Sequence, residues 1–319
     1  MLASHLLRGT GAALVTTLLV ACLPAQAVPA APPSFSSLVV FGDSLSDNGN
    51  LFALSEKVFG PGKGVPSAPY YQGRFSNGPV AVEYLASGLG LSGAQFQDLA
   101  IAGAKTGTGG QFNGTGMLSQ LAGFQAALGG APASSTALYF VWGGANDLRA
   151  DPTSGAATIG NLVNIVSTLY SMGARNFFLP NLPDLGLTPE AREAGVSGPA
   201  TAGSESFNAG LSNAYAGLAA SWSDEHFYTF DAMAAQRAIT NGSPGNGFSN
   251  VTSACFQTSP ISVCGTPDTY LYWDQIHPTA AAHAILGAQM LAAVPEPQTM
   301  LMMAVGVLVL LGASRRRQA

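Results

Sequence analysis

Charge is scarce in this chain. Only 9% of its 319 residues are Asp, Glu, Lys or Arg, and 12 basic side chains face 17 acidic ones. Phosphate binding needs concentrated positive charge, and the body of the chain holds no Lys/Arg cluster, so a nucleic-acid partner is excluded. With 47% hydrophobic residues the chain is too apolar to be disordered and long enough for one well-buried domain. Histidine and cysteine are also few, four and three respectively. No histidine is spaced to join the cysteines around a metal, which makes a metal site the weaker reading of them. Apolar runs of bilayer length are missing as well; the two longest, Gly9 to Leu23 and Met300 to Gly312, are both short for a stable span.

Those two runs sit at the ends. Residues 1–27 read as a secretory signal peptide: one arginine, Arg8, then the apolar run, then the small-x-small site Ala25-Gln26-Ala27. Leu19-Val20-Ala21-Cys22 competes as a lipoprotein box in which Cys22 would be lipidated. Residues 294–319 comprise Val294-Pro295-Glu296-Pro297, the apolar run, and Arg315-Arg316-Arg317. By the positive-inside rule the arginines face the cytoplasm and leave the body outside. This end resembles the PEP-CTERM sorting signal of Gram-negative bacteria. The resemblance implies export across the inner membrane, an exosortase as processing partner, and release or attachment at the envelope. A plain transmembrane anchor is the alternative.

Export agrees with the cysteines. Cys22 leaves with the leader, and Cys255 and Cys264 are close enough to close a small disulfide loop in an oxidising compartment. Between the ends, residues 34–293 alternate between strand and helix patterns. Strand-like runs occur at Leu38 to Phe41, Phe96 to Ile101, Ala137 to Trp142, Asn176 to Pro180 and Phe227 to Phe230. Helix-like stretches cover Val80 to Leu89, Met117 to Leu128, Thr158 to Met172, Ser204 to Ser221 and Ala280 to Ala292. Such alternation predicts a parallel sheet covered on both faces, with ligands beyond the carboxyl ends of the strands. No repeat or compositional break divides the body, so it counts as one domain.

Ser44, Gly103 and Asn146 each follow a predicted strand directly. A serine hydroxyl is a poor nucleophile until a base takes its proton and a third group orients that base. His277 and Asp274 can fill those roles. Pro278 disfavours a helical His277 and suits the first position of the helix that follows, so Asp274 to His277 should form a turn in which the carboxylate reaches Nδ1 while Nε2 faces Ser44. Donors for a developing oxyanion are available from the Ser44 N–H, the Gly103 N–H and the Asn146 side chain. Asp43, Asp47 and Asp147 read as support for the loops around them. His226 and His283 read as packed or hydrogen-bonded histidines.

These residues resemble the GDSL, or SGNH, hydrolases. Gly42-Asp43-Ser44-Leu45 matches the first block, Gly103 the second, Gly144-Ala145-Asn146-Asp147 the third and Asp274-x-x-His277 the fifth, in the family's order. Gly73 to Pro79 also looks like a segment that members carry between the first two blocks. The resemblance implies an α/β fold, a flavodoxin-like three-layer α/β/α sandwich with a mainly parallel five-stranded sheet. It also implies hydrolysis of small-molecule, lipid or polysaccharide esters through an acyl-enzyme, without metal or other cofactor. One departure stands out: the second block often opens on Asn, and this chain has Asp98. The α/β-hydrolase scaffold fits less well, because Ser46 occupies the last position of its Gly-x-Ser-x-Gly turn. A non-catalytic surface or matrix protein retaining the fold is the competing function, motivated by the sorting signal and the weakly charged composition.

Overall fold

The computed structural model describes residues 34–242 and 247–294; the leader and the carboxyl-terminal apolar run lie outside the described residues. Five apolar runs become the strands β1 (Leu38–Gly42), β2 (Phe96–Asp98), β3 (Leu138–Trp142), β4 (Asn176–Pro180) and β5 (His226–Phe230). They form one sheet in the order β2-β1-β3-β4-β5, every pair parallel. Because side chains alternate along a strand, an unbroken apolar run is apolar on both faces and must be covered twice. β1 illustrates this: Val39 and Phe41 enter one core, Leu38 and Val40 the other.

Nine helices among the described residues supply the cover and the rims: α1 (Asn50–Phe59), α2 (Ala81–Gly88), α3 (Met117–Leu128), α4 (Ala145–Ala150), α5 (Gly155–Ser171), α6 (Pro189–Glu193), α7 (Ser197–Ser221), α8 (Ala232–Thr240) and α9 (Ala280–Ala292). α3, α5 and α7 pack on the first face, and α2, α8 and α9 on the second. The result is the expected three-layer α/β/α sandwich with the flavodoxin-like strand order. Beyond the sheet, β6 (Asn250–Ala254) pairs with β9 (Tyr270–Tyr272), and β7 (Phe256–Thr258) with β8 (Ile261–Val263) as a hairpin. The Cys255–Cys264 disulfide closes that hairpin, as the spacing led one to expect.

Three expectations need correction. The second strand ends at Asp98, not Ile101, because the Asp98 carboxylate turns back to accept the Ala100 and Asn48 N–H groups at 2.9 and 3.1 Å. Gly103 therefore sits in a loop and does not follow the strand directly. α7 begins at Ser197, seven residues early: its Gly/Pro/Ser-rich first turns are held by contacts such as Thr201 Oγ1 to the Asp184 carboxylate at 2.6 Å, which outweigh local propensity. Pro278 is not the first residue of the last helix, since Thr279 caps α9 by accepting the Ala282 N–H.

In a sheet of this order the connections from β1 and β3 leave in opposite directions, opening a crevice beyond their carboxyl ends. Ser44 lies two residues past β1, and Asn146 is in the first turn of α4, just past β3.

Candidate active site

The end of β1 is fixed from the side by Gln120 of α3, whose amide accepts the Gly42 N–H at 3.0 Å and donates to the Gly42 carbonyl at 2.8 Å. The chain then reverses: the Asp43 carbonyl accepts from the Ser46 and Asp47 N–H groups, and its carboxylate accepts from Leu45 N–H at 3.1 Å. This turn presents Ser44 at the sheet edge while leaving it 8% exposed. Burial pushes the Asp43 carboxyl up to about 6.

The second segment forms a tight loop. Tyr272 bridges Pro278, and Trp273 N–H donates to the His277 carbonyl at 2.7 Å. Inside it, Asp274 Oδ1 accepts the Ile276 and His277 N–H groups at 2.9 and 2.7 Å, so the carboxylate builds the turn that carries it. The His277 ring then meets Asp274 through Nδ1 at 2.7 Å and Ser44 Oγ through Nε2 at 2.8 Å, across 233 positions of sequence. Burial alone would raise the Asp274 carboxyl, but the neighbouring imidazole and backbone donors outweigh it and hold it at about 2. The three expected residues are thus in one hydrogen-bonded line.

Asp47 ties the Ser44 turn to the neighbouring loop. Its carboxylate accepts N–H groups of Gly49, Asn50 and Leu51 at the start of α1, and of Ala102 at 2.7 Å. Gly103 follows at φ +76°, where a Cβ would also approach Gln111 to 3.1 Å, so the position requires glycine. Asn146 is set by Gly144 at φ +116°, where a Cβ would come within 3.1 Å of Phe207 and Thr158. The Asn146 amide donates to the Ala104 carbonyl at 3.0 Å, joining the two candidate donor positions. Among the described residues the Ser44 and Gly103 N–H groups have no protein partner. Asp147 holds the same loop from below through the Thr106 N–H and hydroxyl, both at 2.9 Å.

A cavity of about 70 Å³ opens at Ser44, with Asn146, Arg149, Trp142, Leu185 and His277 on its walls. Gly103 is not among its lining residues, unlike Asn146.

Three participants went unassigned in the sequence. Tyr70 donates its hydroxyl to Asp274 Oδ2 at 2.7 Å from 204 positions away and packs on Phe75, Phe256 and Trp273. In the sequence it reads, with Tyr71, Phe75 and Phe112, only as an aromatic that could fold over the site, and nothing local marks its bond to Asp274. Gln120 did leave a signal, as a polar residue on the buried stripe of α3 beside Met117, Leu121 and Phe124. Arg149 was readable only as a basic residue one helical turn after Asn146, and its guanidinium reaches Asn146 Oδ1 at 3.4 Å. His226 is exposed on β5, whereas His283 is wholly buried and accepts the Ala81 N–H through Nδ1. No group of metal-binding side chains occurs among the described residues.

Residues 38–290 match the model of the GDSL-like Lipase/Acylhydrolase family, and residues 293–317 match the PEP-CTERM protein-sorting motif. Phosphatidylcholine-sterol acyltransferase of Aeromonas hydrophila is 28% identical over 309 residues, covering 80% of this chain and 88% of that protein. A GDSL esterase/lipase of Arabidopsis thaliana is 25% identical over 317 residues, covering 79% and 87%. Among solved structures, a lipolytic G-D-S-L family member from Veillonella parvula aligns at 13% identity and a TM-score of 0.46, over 80% of this chain and 96% of that one. With the family model spanning nearly the whole described body, this chain belongs to the GDSL-like lipase/acylhydrolase family.

Proposed function

We propose that the protein is an exported serine esterase that hydrolyses carboxylic esters through an acyl-enzyme. The observation that carries the reading is the line Ser44 Oγ, His277, Asp274, with 2.8 and 2.7 Å between successive partners. As Ser44 Oγ bonds to the ester carbonyl carbon, its proton passes to His277 Nε2. Asp274 stabilises the imidazolium through Nδ1–H and keeps its own charge, since its carboxyl is held at about 2.

The carbonyl oxygen gains charge in that step. The free N–H groups of Ser44 and Gly103 and the second amide hydrogen of Asn146 are the donors we assign to it, each worth on the order of 10²- to 10³-fold in rate. Collapse breaks the bond to the alcohol, which takes the proton from His277. Water then attacks the acyl-enzyme, giving a proton to His277 and releasing the acid as that proton returns to Ser44. Residues 1–27 and 294–319 would serve for export and for sorting by an exosortase, a reading supported by the match to the sorting motif.

Ser44→Ala tests the assignment. Turnover of p-nitrophenyl acetate should fall by about four orders of magnitude or more, with melting temperature nearly unchanged because one hydrogen bond is lost. Equal turnover by both proteins would refute the mechanism, and no turnover by either would favour a non-catalytic role.

A further inference from the structure

The cavity at Ser44 adjoins a larger one. Arg149, Leu185 and Thr188 line both. The second measures about 370 Å³ and lies between α4, α6 and the first turns of α7, walled by Leu148, Pro152, Ala191, Val196, Ala200 and Gly203. The first is large enough for little more than the reacting ester group, whereas the second falls within the usual ligand-pocket range of about 300–1,000 Å³.

The polar side chains that line this second cavity each have a partner in the protein. Ser204 Oγ donates to the Ala200 carbonyl at 2.9 Å and accepts Leu185 N–H at 3.2 Å. Thr188 Oγ1 donates to the Leu185 carbonyl at 2.7 Å and accepts Ala191 N–H at 3.2 Å. Arg149 and Glu190 engage each other through two bonds of 2.8 and 2.6 Å. Away from the Arg149–Glu190 pair the walls are apolar and offer a sugar few partners, whereas a hydrocarbon chain requires none.

The side on which the cavity lies selects the half of the ester. His277 must protonate the departing alcohol, so the alcohol leaves toward His277. The acyl half then extends away from it, along α4, where Asn146 and Arg149 are one turn apart. We propose that this second cavity is the acyl-chain site, taking the hydrocarbon chain of a fatty acyl ester, with the Arg149–Glu190 pair bridging its junction with the Ser44 cavity. The assignment rests on the Ser44 reading above.

Gly203 provides the test. A Cβ at that position meets nothing within 4 Å, so Gly203→Phe can fill the cavity without crowding α7. Wild type should hydrolyse p-nitrophenyl octanoate with kcat/KM about tenfold or more above that for the acetate. Gly203→Phe should lower the octanoate value by about tenfold and leave the acetate within about twofold. Ala194→Trp, entering from the end of α6, should do the same, and melting curves report whether each variant is folded. Equal effects on both esters, or none on octanoate, would overturn the proposal, as would losses confined to octyl acetate, which would put the alcohol there. Failure of the wild type to hydrolyse any ester is a separate result that removes the Ser44 reading, and this one with it.

Discussion

Tyr70 shows how a single hydroxyl can bear on the site. Asp274 Oδ2 receives both His277 Nδ1 and the Tyr70 O–H, each at 2.7 Å, within a largely buried setting. Tyr70→Phe keeps the ring against Phe256 and Trp273 but leaves a buried carboxylate one donor short. A hydrogen bond to a charged group contributes about 1.5–3 kcal/mol, so stability should fall by that order. With one donor gone, the carboxylate that orients the His277 ring is held less firmly. The value of kcat should therefore fall by about tenfold with KM for a short ester little changed. Steady-state kinetics would check this; a stability loss with an unmoved kcat would reduce Tyr70 to a packing residue.

At the scale of elements, the β7–β8 hairpin acts as a brace for the Asp274 loop. Phe256 N–H donates to the Trp273 carbonyl at 2.6 Å, Trp273 N–H donates to the His277 carbonyl at 2.7 Å, and the Phe256 ring stacks on Trp273 and meets Tyr70 edge-on at 5.4 Å. The disulfide closes a loop between positions nine apart, for which loop-closure entropy gives about 2–3 kcal/mol. Cys255→Ser/Cys264→Ser should cost that much stability and lower kcat. Measured again in the Tyr70→Phe background, the loss in kcat should shrink, because the two changes share one line of contact. Additive losses would show that the hairpin stabilises the fold without bracing the site.

The same elements show why the sequence was only partly legible. Asp274 and His277 could be paired because a short turn ended by Pro278 leaves them few arrangements. α3 and α9, with continuous apolar patterns and a glycine or threonine cap, appear at their expected boundaries. α1 buries only Leu51 and Ser55, so it carries too little apolar periodicity to be seen, and its start depends on Asp47 accepting the N–H groups of its first two residues and of Gly49 just before it. Tyr70 and Arg149 owe their places to contacts between distant loops, which no local pattern encodes.

For the molecule as a whole, the covering of the sheet on both faces brings a histidine into the second core. His283 of α9 is fully buried against α2, accepting the Ala81 N–H at 3.1 Å. Burial first, and the proximity of His277 second, lower it from 6.5 to about 3. Between those values the unfolded chain binds a proton that the folded chain does not, so stability is complete above about pH 6.5 and declines as pH falls toward 3. Asp43 has the opposite sign, since its raised carboxyl binds a proton in the folded state first, between 3.8 and about 6. A comparison of variants separates the two. His283→Asn keeps an oxygen able to accept the Ala81 N–H but cannot titrate. Below pH 6 the stability of wild type relative to this variant should decline by about 1.4 kcal/mol per pH unit, the free-energy equivalent of one proton. Urea unfolding at pH 7, 6, 5 and 4 measures the difference directly. A constant difference across that series would mean that the α2–α9 interface admits the imidazolium, and that the second face of the sandwich is less closed than its packing indicates.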